Sequence, residues 1–158
     1  MDISFKNGDE KFNYRVCAMI INNNKILAMK DERSPYYYLP GGRVKIRETA
    51  EDAVIREVFE ELGAKVEIER PLWLNQAFFT EDVDKIKYHE LCIYFLMNIS
   101  KSDILFRGEN FEFYENKRKN SFEWLPFERL EKEYFYPTFL KKDIFNIPET
   151  FTIRTEIE

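Results

Sequence analysis

The sequence predicts a single mixed α/β (α+β) domain over residues 1–158, and three observations carry that expectation. The chain has 158 residues, the size of one ordinary domain, and 44% of them are apolar, enough to fill a core without disulfide or metal staples. Apolar runs of strand length, punctuated by turn residues, recur along most of it. Among them lies one segment, Thr49 to Leu62, with a clear helical pattern.

The elements follow in chain order. Tyr14 to Ile21 and Lys25 to Met29 are apolar runs separated by Asn22-Asn23-Asn24. Asn tolerates the left-handed backbone of tight turns, so this predicts a β-hairpin. Tyr36 to Leu39 is a short aromatic strand that ends in the sharp turn Pro40-Gly41-Gly42. In the helix Thr49 is the N-cap, Glu51 and Asp52 place negative charge in the first turn, and Gly63 is the stop. Lys65 to Thr80 and Ile86 to Ile99 read as long strands, bent or bulged, joined by the charged stretch Thr80 to Lys85. Ser100 to Asn120 is polar and charged and is expected to be a mobile loop with little regular structure. Ser121 to Leu125 reads as a strand, Pro126 to Glu131 and Pro137 to Phe145 as short helices opened by proline, and Thr150 to Ile157 as a last edge strand. No repeat, low-complexity tract or linker divides the chain.

The formal net charge of −5 argues against a general nucleic-acid binder, which would carry a basic surface. It leaves room for a polyphosphate, provided that cations lie between the two sets of negative charge. Cys17 and Cys92 each sit in an apolar run and read as reduced core thiols; with the single His89 they offer too few ligands for zinc. The N-terminus has no apolar signal core, and no uncharged run approaches the roughly 18 residues that span a bilayer, so the expected location is the cytoplasm, with no membrane partner.

The chemistry is concentrated in Gly42 to Ala64. Glu48 follows Gly42 after five residues, and seven more lead to Arg56-Glu57-Val58-Phe59-Glu60-Glu61-Leu62-Gly63-Ala64. Each helical residue turns about 100°, so Glu57 and Glu61 share a face one turn apart and Glu60 lies beside them. Val54, Ile55, Val58, Phe59 and Leu62 fall on the other side as a buried stripe. Like charges at this spacing destabilise a helix by about 0.2–0.5 kcal/mol per pair. Most acidic clusters on helices are solvated faces. Here, however, seven residue types recur at fixed spacing, which chance supplies on the order of 10⁻⁸ per start position at background frequencies of about 7% each. Hard divalent cations remove the repulsion, because Mg²⁺ takes carboxylate and water oxygens and completes its shell with substrate phosphates.

This segment resembles the Nudix box, Gly-x5-Glu-x7-Arg-Glu-U-x-Glu-Glu-x-Gly-U with U a bulky aliphatic residue. Gly42, Glu48, Arg56, Glu57, Val58, Glu60, Glu61 and Gly63 match, and Ala64 departs by being small. The resemblance implies a mixed β-sheet sandwiched between helices, with the box at 42–64 forming a loop–helix–loop. It implies Mg²⁺- or Mn²⁺-dependent hydrolysis of a nucleoside diphosphate linked to a further group. It assigns Glu57, Glu60 and Glu61 as metal ligands, with the Gly41 carbonyl as a backbone ligand, and pairs Glu48 with Arg56, the arginine also orienting the carboxylates. The general base is Glu57 or a carboxylate before the last strand, where Glu109, Glu112, Glu115 and Glu123 are all open. The alternative is a catalytically silent Nudix-fold module that senses a nucleotide, although the complete set of glutamates has no purpose there.

Arg15, Lys30, Arg33 and Arg43 are candidates to meet phosphates, and Phe78, Phe79 and Tyr36 to Tyr38 to stack on a base, with core packing the commoner fate of such rings. The proline that the resemblance would place past the box in ADP-ribose hydrolases is absent, where the chain reads Phe78-Phe79-Thr80. A small-molecule nucleoside triphosphate or nucleotide-sugar is therefore the expected partner. The oligomeric state, a homodimer included, is not legible in the sequence.

Overall fold

The computed structural model describes residues 1–82 and 84–158; the charged connection expected over Thr80 to Lys85 includes Val83, which lies outside the described residues. The strands are β1 (Ser4–Asn7), β2 (Glu10–Met19), β3 (Ile21–Asn22), β4 (Lys25–Asp31), β5 (Gly41–Arg43), β6 (Glu67–Thr80), β7 (Lys87–Asn98), β8 (Asn110–Glu115), β9 (Arg118–Pro126) and β10 (Thr152–Ile157). The helices are α1 (Ala50–Leu62) and the short α2 (Leu140–Asp143), with 3₁₀ turns at Ile104–Arg107 and Phe127–Lys132.

Among the described residues the strands form two sheets. One is mixed, in the order β1-β2-β7-β6-β10, with β5 paired to the upper half of β2. The other is antiparallel, in the order β3-β4-β9-β8. The first apolar run therefore divides: β2 ends at Met19 in the mixed sheet, and Ile21 opens the hairpin β3–β4 in the other. Asn23 and Asn24 make that hairpin turn with φ of 50° and 58°. The long pair β6–β7 carries register shifts between Ile68 and Arg70 and between Pro71 and Trp73, where Pro71 cannot donate a ladder bond.

Strand alternation sorts the apolar side chains into two cores. Val16, Ala18, Ile20, Leu27, Met29, Phe95, Met97, Phe122 and Trp124 face one side, where Val54, Val58 and Leu62 of α1 pack over them. Met19, Ile26, Ala28, Tyr94 and Leu125 face the other, covered by Leu130, Phe135, Leu140 and Ile144 from the 3₁₀ turn, α2 and their connection. The result is strands layered between helices.

Helix α1 keeps its expected ends. The Thr49 side chain accepts from the Asp52 amide at 3.0 Å, and Gly63 adopts the left-handed conformation at φ 66° while its amide donates to the Phe59 carbonyl. Phe59 itself corrects the expected stripe: it is 51% exposed, because Ala50, Ala53, Val54, Val58 and Leu62 already define the buried arc and Phe59 falls outside it.

Residues 100–120 also correct the expectation of a mobile loop. They contain the 3₁₀ turn, strand β8 and the start of β9. Asn110–Glu115 alternates in burial, with Phe111 and Phe113 turned onto the α1 core and Asn110, Glu112 and Tyr114 outward. Charge on the outer face hid a period of two. The expected strand at Tyr36–Leu39 contracts to isolated bridges, Met29 with Tyr38 and Tyr37 with Phe135. The expected helix at Pro126–Glu131 is the 3₁₀ turn, that at Pro137–Phe145 reduces to the single turn of α2, and β10 is the edge strand, parallel to β6.

Gly63 is the tightest point of the helix exit. A Cβ there would lie 2.5 Å from the Phe113 ring, on a backbone already at positive φ. Gly63→Ala is expected to lower the unfolding free energy by more than the ~1 kcal/mol of Thr49→Ala, measured by urea denaturation of both variants. A smaller loss for Gly63→Ala would show that the Phe113 contact is slack.

Candidate active site

The box folds around one guanidinium. Arg56 Nε donates to Glu48 Oε2 at 2.6 Å and Nη2 to Glu48 Oε1 at 2.9 Å, a two-point fork that only a planar cation makes. Arg56 Nη1 reaches Glu57 Oε1 at 2.9 Å and Glu60 Oε2 at 3.2 Å, and Nη2 also donates to the Arg43 carbonyl at 3.1 Å. One side chain thus ties the loop before the helix, the strand β5 and two helical carboxylates together. The Arg56 hydrogen bonds hold the Glu48 carboxyl down at about 2 against the opposing effect of burial.

Glu61 is treated differently. It is 7% exposed, and its Oε1 accepts from the Gly41 amide at 2.7 Å. Gly41 lies in β5, whose flanking bonds to β2 run through Ala18–Pro40 and Tyr14–Val44. Burial pushes the Glu61 carboxyl well above the usual carboxylate range; the Gly41 amide opposes this, while Glu57 and Glu115 add to it. Glu57 rests on Gly42, where a Cβ would come within 2.3 Å of its Oε1, so glycine is what admits the carboxylate. The Glu57 carboxyl is also raised, by burial first, with Arg56 opposing. Glu57, half-buried, and Glu61, buried, therefore form a mutually repelling pair beside the Gly41-Gly42 backbone. Glu60 lies apart, its side chain 40% exposed and drawn toward Arg56.

Strand alternation sorts the four open carboxylates. Phe111, Phe113 and Glu115 share the α1 side of β8, whereas Glu112 shares the opposite side with its register partner Ser121. Glu123 pairs in register with Ala28 of the second core, and its carboxylate accepts from Tyr37 Oη at 2.6 Å and Arg129 at 2.7 Å. Glu109 is held by Lys25 at 3.0 Å. Of the four, Glu115 is the one that acts on Glu61, and Asn120 joins them, its Nδ2 lying 3.0 Å from the Glu61 carbonyl and 3.5 Å from Glu115 Oε1.

Arg15 also acts electrostatically on both Glu57 and Glu61. Lys30 sits over the Tyr37 ring, Arg33 pairs with Asp31 at 2.9 Å, and Arg43 lies 3.6 Å from Asp2. His89 stacks on Phe78 at 4.4 Å and meets Phe12 edge-on. Phe79 stacks on Tyr88 at 5.1 Å. Cys92 is buried and Cys17 half-buried; both are free thiols, and Cys92 Sγ donates to Cys17 Sγ at 3.5 Å. The sequence reading missed Asp31, Asn120 and the hydroxyl of Tyr38. Tyr38 Oη donates to Asp31 Oδ2 at 3.1 Å, and burial, then Asp31 and Glu61, push that hydroxyl up. The signal for Asp31 was its parity: it shares the face of Leu27 and Met29, and its register partner is Asn120.

A family model described as NUDIX domain matches residues 11–142. The chain belongs to the NUDIX domain family. An ADP-ribose pyrophosphatase of Methanocaldococcus jannaschii is 33% identical over 87 residues, which are 53% of this chain and 49% of that protein, so the match spans about half the length of this curated relative. A MutT NUDIX hydrolase from Burkholderia pseudomallei superposes with a TM-score of 0.53 at 23% identity, over 74% of this chain and 84% of the other. A mutator MutT protein from Bacillus halodurans gives 0.60 at 14% identity, over 85% and 82%. These structural likenesses establish the NUDIX fold.

Residues of opposite electrostatic character in one site give opposite pH signatures. Glu48 has a depressed pKa, so its contribution to stability is complete above about pH 4.5 and is lost as pH falls toward 2. Glu48→Gln is expected to cost about 2–3 kcal/mol at pH 7, with the difference from the parent shrinking below pH 4.5. Glu61 has a raised pKa, so its ionised form is a penalty that is absent at low pH and grows as pH rises. Metal-free Glu61→Gln is expected to melt at or above the parent temperature at pH 8 and to lose that advantage at pH 4. Thermal melts across pH check both, and a neutral-pH collapse of Glu61→Gln would make Glu61 a structural carboxylate.

Proposed function

We propose that this chain is a Mg²⁺- or Mn²⁺-dependent hydrolase that cuts the diphosphate linkage of a substituted nucleoside diphosphate, with attack at phosphorus. The carrying observation is the Glu57–Glu61 pair at the Gly41-Gly42 turn, Glu57 half-buried and Glu61 buried, with a neutral amide bonded to the Glu61 carboxylate. Among the described residues no three metal-ligating side chains converge. Two carboxylates suffice for Mg²⁺, which keeps waters and substrate phosphates as its other ligands, so the donor set fits. Glu57 and Glu61 would hold the ion, with the Gly41 carbonyl beside them and Glu60 as a further ligand once released from Arg56. A bound cation there would neutralise the diphosphate, polarise phosphorus and lower the pKa of water.

The chain's own residues do the rest. Arg56 fixes Glu57 and Glu60 while Glu48 fixes Arg56. The Gly41 amide orients Glu61. Glu115, on the same side of the sheet and linked through Asn120 to the Glu61 main-chain carbonyl, is the carboxylate that would accept the water's proton. Arg15 is the cation best placed to meet a substrate phosphate, since it already acts on both carboxylates.

The name of the Methanocaldococcus relative brings ADP-ribose into the substrate set alongside nucleoside triphosphates and nucleotide-sugars. A screen over these, with products identified, is expected to give Mg²⁺- or Mn²⁺-dependent cleavage and very little phosphomonoesterase activity. In ¹⁸O-labelled water the label should enter a phosphate product; label on a sugar carbon would overturn the mechanism. Mn²⁺ should raise the melting temperature of the parent and not of the Glu57→Gln, Glu61→Gln double variant, whose turnover should fall by at least about 10²-fold. Equal Mn²⁺ shifts in both proteins would remove the pair from the metal site.

A further inference from the structure

Three tyrosines, one half-buried and two exposed, stand together outside both cores. Tyr36, Tyr134 and Tyr136 come from segments a hundred residues apart and are brought together by backbone bonds: the Tyr37 amide donates to the Tyr134 carbonyl at 2.9 Å, and the Tyr136 amide to the Tyr37 carbonyl at 3.0 Å. Extended backbone alternates, so these bonds turn Tyr37 and Phe135 inward to the second core and leave the three flanking tyrosines on the opposite side. Ring centroids lie 5.4 Å apart for Tyr36–Tyr134, 4.9 Å for Tyr36–Tyr136 and 5.7 Å for Tyr134–Tyr136. Tyr134 remains 56% exposed and Tyr136 40%, so aromatic faces stay open to solvent.

The cluster is continuous with the candidate active site. Tyr36 meets Tyr38 edge-on at 6.2 Å, Tyr38 donates to Asp31, and Tyr38 feels the charge of Glu61. Its surroundings are acidic: Asp82 and Glu158 act on the Tyr136 hydroxyl, after burial and Tyr134. A phosphate is therefore disfavoured at the cluster, whereas an uncharged planar group joined to a diphosphate can stack there.

Resting on the reading of the chain as a nucleoside diphosphate hydrolase, we propose that Tyr36, Tyr134 and Tyr136 form the subsite for the substrate's nucleobase, stacked on Tyr134, the more exposed ring, with the tilted ring of Tyr136 against its edge. The diphosphate then extends past Tyr38 toward Glu57 and Glu61. Recognition is by ring area, so it tolerates different bases and rejects substrates that lack one.

The test compares adenosine 5′-monophosphate with ribose 5-phosphate, the same anion without its base, by calorimetry on the parent, Tyr134→Ala, the Tyr134→Ala, Tyr136→Ala double variant and the corresponding double Phe variant. The parent should bind the nucleotide at least about tenfold more tightly; each alanine should erase about tenfold, and the Phe variant should keep the preference. Melting temperatures identify a variant that has lost its fold, and Tyr134→Ala alone then decides. Equal binding of the two ligands by the parent, or a preference that survives in folded alanine variants, overturns the subsite. Hydrolysis of a base-bearing and a base-free diphosphate by the parent separates the two readings. If neither is cleaved the hydrolase reading fails, and if both are cleaved with equal kcat/KM the subsite alone fails.

Discussion

The site depends on one cation held by more acceptors than any neighbour could supply to a point charge. Arg56 has a carboxylate fork on one side, two helical carboxylates on another and a strand carbonyl on a third. Without it, Glu48, Glu57 and Glu60 would repel one another and the 42–49 loop would lose its tie to α1. A lysine would keep the charge and lose the geometry, because an ammonium cannot make the paired contact to Glu48 while spanning to β5. The fork carries order as well as charge: the same guanidinium that holds Glu48 of the loop also holds Glu57, which lies against Gly42.

Against that clamp the second constraint is parity. A strand offers its side chains alternately to two faces, and here each face carries a different core. That rule, more than proximity in sequence, decides which carboxylates belong to the site. Glu112 and Glu115 are three residues apart and fall on opposite sides of β8, so the charge of one acts on Glu61 and the other is directed toward Lys119. Glu123, with no shift of register along β4–β9, can only face the second core. The same alternation in Tyr36–Tyr38 and Tyr134–Tyr136 sends Tyr37 and Phe135 inward and leaves the tyrosines out.

This explains what the sequence could and could not disclose. Helix α1, its Thr49 and Gly63 ends, the Asn23-Asn24 turn and the box spacing are local signals, each decided within a turn or two of chain, and they were legible. Residues 100–120 were not, because Asn110–Glu115 carries charged and aromatic residues on its outer face and its alternation is visible only once Phe111 and Phe113 have a core to enter. Phe59 was misplaced because an apolar residue near the stripe is read as part of it, whereas the arc from Ala50 to Leu62 was already full. The joining of Asp31, Tyr38, Asn120 and Glu115 to Glu61 is a property of pairing between strands distant in sequence, and no window along the chain contains it.

Glu57, Glu60 and Glu61, alike in type and close in sequence, end in three environments: Glu60 half in water and ion-paired, Glu57 covered but still touching Arg56, and Glu61 buried against an amide. Folding for stability alone would not leave this order, since a buried glutamate beside two others is disfavoured unless protonated or neutralised. The graded burial means that the penalty rises toward Gly41, the point where the backbone is also free of side-chain bulk. A cation held there, as proposed, would gain most where the protein is least satisfied, at the end of the ridge away from the Arg56 charge. Arg56 and the Glu61 pocket thus act as opposite poles of one helix turn: one anchors the ridge, and the other leaves it incomplete.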